Sequence, residues 1–464
     1  MFRRDSKEDL GKGELRVDTN RTYWNEELEP ILNTDKMSQI QLAKVQSLIK
    51  RLYEAKPYWR QRFDSAGVVP SDIRSLADFG TRIPVMEKAD RRQLLVDCDM
   101  DMMKAMEMTI GVPMDEIRLV SATSGTSGEP TPLPQTHHDI AWLSELYARM
   151  LWRMGIRPGS RIVHAFGLSM FQAGVPFVTY FQRVGASVFP VGAESGADRV
   201  LRFLKLAKAD TLACTPSLAE HLIDRAPTLI GQEIGGLGVK RLLLAGEPGA
   251  GIPEVRAKLE TSYGARVFDH GGSWGVSCEW PEYQGMHYVS DDKMLFELVD
   301  PTTKESIPLE QGARGMPVHT TLEGEGFLFV RESLGDIAEV STEPCPCGRS
   351  GFRYRIVGRV DDMLKVKGAI VYPAAIDGVI TSFAPRVTGE FRIVLDEPPP
   401  RVVPPLKLKI EYGIATQVED LETLGVEIEE ALHAQLKFRP RIIWLPPHTL
   451  ERSTYKTQMI DHAY

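Results

Sequence analysis

The residues best suited to chemistry form one short run, Ser121-Ala122-Thr123-Ser124-Gly125-Thr126-Ser127-Gly128-Glu129-Pro130-Thr131. Its hydroxyls and free backbone N–H groups can surround phosphate oxygens as a shallow anion nest. Gly125 and Gly128 let the backbone turn sharply and approach a ligand closely. No Gly-Lys-Ser/Thr closes the run, so it is not a Walker A loop. A polar surface turn would have the same composition, and other stretches have to decide. A second set is Cys278, His287, Cys345 and Cys347. Thiolate and imidazole are soft or borderline donors, and a Cys3His set closes a tetrahedral structural zinc site with no open position for catalysis. Buried cysteines beside a satisfied histidine are the alternative. Cys-x-Cys is a less usual spacing than Cys-x-x-Cys, and a loop has to return His287 to Cys278.

These groups need elements to position them. Residues 117–120 read as a strand and 139–152 as an amphipathic helix, which sets the hydroxyl run between a strand and a helix. Expected strands at 161–166, 186–190, 211–214, 240–244 and 266–268 then alternate with helices at 173–183, 197–208, 216–223 and 253–263. That alternation predicts a parallel α/β sheet. Such sheets carry their sites at strand ends. The loops Ala245-Gly246-Glu247-Pro248 and Asp269-His270-Gly271-Gly272-Ser273 both follow strands and are expected to face the same crevice. Upstream, 37–55 and a segment from Pro57 read as helices without obvious chemistry. From about Lys293 the pattern turns to antiparallel strands at 294–299, 313–321 and 326–331. A last segment reads as a strand (406–412), a helix (418–435), a strand (441–445) and a polar tail (450–461).

Bulk properties narrow the class. At 464 residues the chain exceeds the ~250–300 at which single cores stop growing. Hydrophobic content of 43% and charged content of 25% are ordinary for a globular protein. The net charge of −8 argues against nonspecific binding to nucleic acid or anionic membranes. No apolar run approaches the ~18 residues of a membrane span. The first residues are charged and lack a signal peptide's apolar core, so the cytoplasm is the expected compartment. Five cysteines are a poor disulfide framework.

Several stretches together resemble the adenylate-forming superfamily of acyl-CoA synthetases, adenylation domains and firefly luciferase, and within it the phenylacetate–CoA ligase family. The stretch from Tyr23-Trp24-Asn25 through Ile83-Pro84-Val85 looks like that family's opening. The hydroxyl run resembles its phosphate-binding motif, Ser-Ser-Gly-Thr-Thr-Gly-Lys-Pro-Thr. Gly246-Glu247-Pro248 resembles its adenine-side Gly-Ala-Glu-Pro, and Gly358-Arg359-Val360-Asp361-Asp362-Met363-Leu364 its hinge motif. Arg452-Ser453-Thr454-Tyr455-Lys456 resembles the segment that carries its catalytic lysine. The resemblance covers roughly residues 20–464.

The resemblance implies an α/β fold. Residues 1–360 would form a large multi-layer ATP- and acyl-binding domain, with parallel-sheet α/β subdomains and an antiparallel β part. Residues 361–464 would form a small mobile α+β domain. It also implies an ATP-dependent, AMP-forming acid–CoA ligase acting on an aromatic or arylacetic acid through an acyl-adenylate, with Mg2+ as cofactor. Thr123, Ser124, Gly125, Thr126, Ser127 and Gly128 would hold phosphates. Gly246, Glu247, Pro248, Asp269, His270 and Gly271 would line the adenine, and Asp336 and Arg359 the ribose. Lys456 would be catalytic and Asp361 the hinge. Phe166, Phe171, Gly174, Ala245, Gly272 and Trp274 would form the acyl pocket, with His164, His270 and Trp274 adding polar contacts if the substrate carries a heteroatom. Some family members bind zinc at a similar Cys…His…Cys-x-Cys pattern, and a homodimer is common among them.

Two positions depart from the family. Its loop lysine is Glu129 here, and the glutamate that helps hold Mg2+ falls on Gly275, with Glu279 the nearest substitute. The alternatives are therefore transfer of the acyl group to an amine or a carrier-protein thiol, or a noncatalytic nucleotide-binding protein.

Overall fold

The computed structural model describes residues 20–123, 131–247, 249–271, 274–366, 369–397, 399–400, 402, 404–450 and 459–463. The N-terminal part is helical: α1 (Asp35–Ala55), α2 (Pro57–Ser65), α3 (Leu76–Arg82), α4 (Lys88–Asp97) and α5 (Met102–Thr109). Thr34 caps α1 by accepting from the Met37 N–H, and Pro57 starts α2 where a missing N–H costs nothing. The helical spacing of Val45, Leu48, Ile49 and Leu52 buries one face of α1 with Trp59, Phe63 and Phe79, against Leu295 and Leu328 of the β part.

The hydroxyl run is flanked differently from the expectation. β1 (Leu119–Ala122) pairs antiparallel with β2 (Pro132–Gln135), so the run joins a hairpin, and α6 (His137–Arg153) begins only after it. Two prolines disguise β2, and they are tolerated because this two-stranded sheet has only edges. Thr136 and Asp139 cap α6 reciprocally.

The parallel part follows the alternation. It comprises β3 (Arg161–His164), α7 (Val175–Arg183), β4 (Ser187–Pro190), α8 (Gly196–Leu206), β5 (Thr211–Cys214), α9 (Pro216–Ile230), β6 (Arg241–Ala245), α10 (Pro253–Tyr263) and β7 (Arg266–Gly271). Strand order is β4-β3-β5-β6-β7. Ile162, Leu243 and Phe268 point to the core under α6 and α7, whereas Val163, Leu242, Leu244 and Val267 point to the core under α8–α10. Both faces are covered, which is why these strands read as continuous apolar runs. α9 runs past Pro227, which sits in the last turn before a left-handed Gly231 (φ 70°).

The sheet continues antiparallel through β8 (Gly275–Ser277), β9 (Met286–Tyr288), β10 (Met294–Val299), β11 (Ser306–Ile307), β12 (Arg314–Thr321), β13 (Glu332–Ser333), β14 (Asp336–Ser341) and β15 (Arg353–Arg359). The strand expected at 326–331 does not form. The buried Asp139 carboxylate instead accepts from the backbone N–H groups of Glu325, Gly326 and Phe327, satisfying them without a ladder.

After β16 (Leu364–Val366) and β17 (Ala369–Val371), α11 (Pro373–Thr381) and α12 (Leu421–Leu436) pack on a second sheet. It holds β18 (Val387–Leu395), β19 (Lys407–Tyr412), β20 (Arg441–Leu445) and β21 (Ile460–His462), in the order β20-β19-β18-β21. The end of the chain, expected as a polar tail, thus supplies an edge strand parallel to β18. Among the described residues no helix is long and apolar enough to cross a membrane.

Candidate active site

The carboxyl ends of β6 and β7 lie side by side, with Leu244 opposite Asp269 and Ala245 opposite His270. Gly246 turns the chain out of β6 at φ 92°, a conformation that favours glycine. The Glu247 carboxylate accepts from the Ser217 N–H at 2.7 Å, so it caps the start of α9 while lining this end of the sheet. Tyr283 donates its hydroxyl to Asp269 at 2.6 Å, and burial holds the Asp269 carboxyl above its ordinary range. The His270 Nδ1 faces the Gly275 carbonyl at 2.7 Å and must carry the proton there, because a carbonyl only accepts. Burial lowers its pKa, so the ring is a neutral imidazole whose Nε2 is an acceptor. Pro248 lies outside the described residues.

The base of the hydroxyl run is described at Thr123 and Thr131. Across its base, the Thr123 N–H donates to the Thr131 carbonyl at 3.0 Å and the Thr131 N–H to Thr123 Oγ1 at 3.3 Å. Ser124, Gly125, Thr126, Ser127, Gly128 and Glu129 lie outside the described residues. Ala122 bridges to Phe171, with its N–H on the Met170 carbonyl at 2.7 Å. The Ser121 hydroxyl donates to Gln172 Oε1 at 2.7 Å, and Gln172 Nε2 donates to the Tyr180 hydroxyl at 2.8 Å. The stem of the run is therefore stitched to the stretch before α7.

Asp336 and Arg359 are register partners on β14 and β15, joined by a 2.7 Å ion pair. The other guanidinium nitrogen lies 3.6 Å from Asp361, which also stands 3.6 Å from Lys88 Nζ at the start of α4. Lys456 lies outside the described residues.

The expected acyl-pocket residues divide. Ala245 and Phe166 are buried, and Phe166 packs on Phe177 at 6.0 Å. Phe171 is 37% exposed and sits at the rim. Gly174 has no room for a side chain: a Cβ there would lie 2.5 Å from the Ser169 carbonyl and 2.7 Å from that of Gly167. His164 is a core histidine with no exposure, its Nε2–H on the Gly174 carbonyl at 2.9 Å, so it cannot meet a substrate. Trp274 holds a left-handed φ of 56°, strained for a bulky residue. Its ring packs edge-on to His319 and Phe327 and against Phe329. Gly272 lies outside the described residues.

Gly275 has no room for the family's glutamate, because a Cβ would stand 2.6 Å from Tyr354 Oη and 2.9 Å from the His287 carbonyl. Glu279 pairs with Arg349 at 3.2 Å and is half exposed.

Cys278, His287, Cys345 and Cys347 converge, with their donor atoms all within 4.8 Å of one another. The Cys278–Cys345 sulfur separation of 3.8 Å matches the edge of a tetrahedron with metal–sulfur bonds of about 2.3 Å. Cys347 Sγ is 3.4 Å from His287 Nε2. The donor set and its spacing fit zinc.

Sequence reasoning missed Tyr283, Lys88 and Tyr147. Tyr147 on α6 stacks on Tyr180 (4.2 Å) and meets Phe177 (4.8 Å) and His270 (5.6 Å) edge-on. Helical periodicity marks Tyr147 only as core, and the other two act through contacts remote in sequence.

Residues 368–463 match the family described as AMP-binding enzyme C-terminal domain. Phenylacetate-coenzyme A ligase of Thermus thermophilus is 30% identical over 426 residues, covering 89% of this chain and 91% of that protein. The Escherichia coli protein of that name is 28% identical, over 77% of this chain and 80% of its own length. Among solved structures, 2-hydroxyisobutyryl-CoA ligase in the postadenylation state with 2-HIB-AMP superposes with a TM-score of 0.86 at 28% identity, covering 96% of this chain and 93% of that one. The same enzyme with 2-HIB-AMP and CoA in the thioesterification state gives 0.68 at 29% identity, over 96% and 94% of the two chains. By motif, fold and these similarities, the chain belongs to the phenylacetate–CoA ligase family of adenylate-forming enzymes.

Proposed function

We propose that the acid activated here is aromatic or arylacetic. As a member of its family the chain is an ATP-dependent, AMP-forming acid–CoA ligase. A carboxylate oxygen attacks the ATP α-phosphorus and pyrophosphate leaves. The CoA thiol then attacks the acyl carbonyl and AMP leaves. In this reading residues 123–128 cradle the phosphates, and Asp336 with Arg359 receives the ribose. Gly246–Pro248 and Asp269–Gly271 line the adenine. Lys456 brings its ammonium to the developing charge at phosphorus, the kind of preplaced donor that phosphoryl transfer needs. Asp361 is the hinge of a mobile 361–464 domain.

The observation that carries the choice of acid is the aromatic wall at the end of β7. His270, Tyr147 and Phe177 present ring edges and faces there, and such surfaces favour a flat ring. Phe166, Ala245 and Trp274 complete the wall, with Phe171 at its rim. Magnesium would find no carboxylate at position 275, and no step here depends on one. The Cys278–His287–Cys345–Cys347 set holds a structural zinc that ties β8 and β9 to the loop before β15.

Pyrophosphate release with phenylacetate, benzoate and 2-hydroxyisobutyrate, each with and without CoA, tests the reading. An aromatic acid should turn over at least about tenfold faster than 2-hydroxyisobutyrate, the size of preference an apolar pocket gives. The opposite order would end it.

A further inference from the structure

Asp269 stands near the carboxyl end of β7, and the alternation of a strand decides which way it faces. Phe268 points to the core under α6 and α7, and Val267 to the core under α8–α10. Asp269 therefore shares the α10 side with Val267, whereas His270 turns to the aromatic wall. Tyr283 donates to Asp269 Oδ2 at 2.6 Å, and the Arg256 guanidinium of α10 lies 5.5 Å over the Tyr283 ring. Among the described residues no donor reaches the other oxygen, Oδ1, and Asp269 is half-buried. One carboxylate oxygen is committed and one is open.

Tyr283 comes from the segment between Cys278 and His287, whose donor atoms lie within 4.8 Å of one another, so the segment is a closed loop. Its return limb is pinned as well. Arg353 donates to the Gln284 carbonyl at 3.1 Å, and Gly285 turns at φ 83°, where a Cβ would stand 3.0 Å from the Tyr354 carbonyl. From the opposite direction comes Gly251, between β6 and α10, so close that its Cβ would stand 3.0 Å from both Asp269 Oδ2 and Tyr283 Oη. Three separate segments converge on one phenol–carboxylate pair, and a surface tyrosine would need none of them.

A carboxyl group accepts through both oxygens when ionised and donates through one when protonated. A phenol donating to Oδ2 favours the ionised form and so leaves Oδ1 an acceptor. The exocyclic amino group of adenine is the donor that such an acceptor selects. Inosine carries an oxygen at the same place, which would face Oδ1 acceptor to acceptor.

We propose that Tyr283 is a positioning residue for base selection: it holds Asp269 so that Oδ1 accepts from the 6-amino group of ATP and turns away purines with a 6-oxo group. The proposal rests on the reading that this end of the sheet takes the adenine. It gives the loop closed by Cys278 and His287 a part in nucleotide choice.

Titration calorimetry of ATP and of inosine triphosphate into the full-length protein, with no acid present, tests this, and its outcome does not depend on which acid is ligated. The parent should hold ATP at least about tenfold tighter than inosine triphosphate, the worth of one charge-assisted hydrogen bond. Tyr283→Phe removes only the hydroxyl and should shrink that preference at least about threefold, chiefly by weakening ATP. Gly251→Ala crowds the same pair from the other side; it should shrink the preference too, and it decides the matter if Tyr283→Phe does not fold. A merely structural loss would weaken both triphosphates alike and leave their ratio unchanged. Asp269→Ala separates the two layers. An unchanged ratio there would end the adenine reading and this proposal with it. A collapsed ratio there, beside an unchanged one in folded Tyr283→Phe, would overturn the role of Tyr283 alone, and so would a parent that binds the two triphosphates equally.

Discussion

Lys456 is assigned one task, a positive charge near phosphorus at the moment of attack, and that predicts a kinetic signature. Lys456→Ala should slow adenylation at least about a hundredfold, the usual cost of one lost transition-state donor, while ATP affinity changes little. Pyrophosphate exchange and a direct ATP titration separate the two, and equal losses would count against the role. Zinc makes a second residue-scale prediction. Protein purified without added metal should carry about one equivalent, as a closed Cys3His site does, and Cys345→Ser should lose it together with thermal stability. Less than a tenth of an equivalent in the parent protein would remove zinc from the account. Gly275 gives a third. Restoring the family's carboxylate by Gly275→Glu should cost stability, about 1–3 kcal/mol or more from overpacking, because the His287 carbonyl stands 2.9 Å from the added Cβ. A melting temperature unchanged from the parent would show that the hairpin yields.

Elements were legible wherever one local period dominated. The βα alternation from Arg161 to Gly271 follows from apolar runs covered on both faces, and α1 from its helical spacing. Legibility failed where a remote partner replaced a local signal. The apolar run Phe327-Leu328-Phe329-Val330 reads as a strand, yet a carboxylate on α6 takes the Phe327 N–H and the Thr321 hydroxyl takes that of Phe329. Pro132 and Pro134 hide β2, because prolines seldom announce strands. The strand β21 follows a polar stretch and earns its place only by pairing with β18. At the candidate site, the Gly-rich turns after β6 and β7 were readable from their position after strands. The crowding at Gly174 was not: only coordinates reveal three carbonyls around its missing side chain.

At the scale of the whole molecule, the small C-terminal unit rests on the large one through α11. Tyr372 covers Gly358, where a Cβ would be 2.2 Å from the ring, and α11 lies against α10 and β15. Asp377 of α11 is raised to about 7 by burial and by Glu220 on α9, with Glu390 on β18 and Glu247 after β6 adding to the push and Thr381 opposing it. Undocking removes Glu220 and Glu247 and part of the burial, so the Asp377 pKa falls toward its ordinary range, and over a window that ends near pH 7 the docked form retains a proton that the undocked form releases. Docking should therefore weaken as pH rises through that window and stay at its weaker level above it. Interdomain distance by fluorescence transfer across pH 4–8 checks this, and Asp377→Asn should flatten the profile; a parent protein insensitive to pH would refute it. The topology of the small sheet carries a practical lesson as well. β20, ending at Leu445, and β21, beginning at Ile460, form the two borders of the small sheet, so Lys456 falls in sequence between two strand moorings. An affinity tag fused after Tyr464, or a deletion that clips Ile460–His462, would loosen one mooring and could mimic a catalytic defect, so recombinant handles are better attached to the amino end.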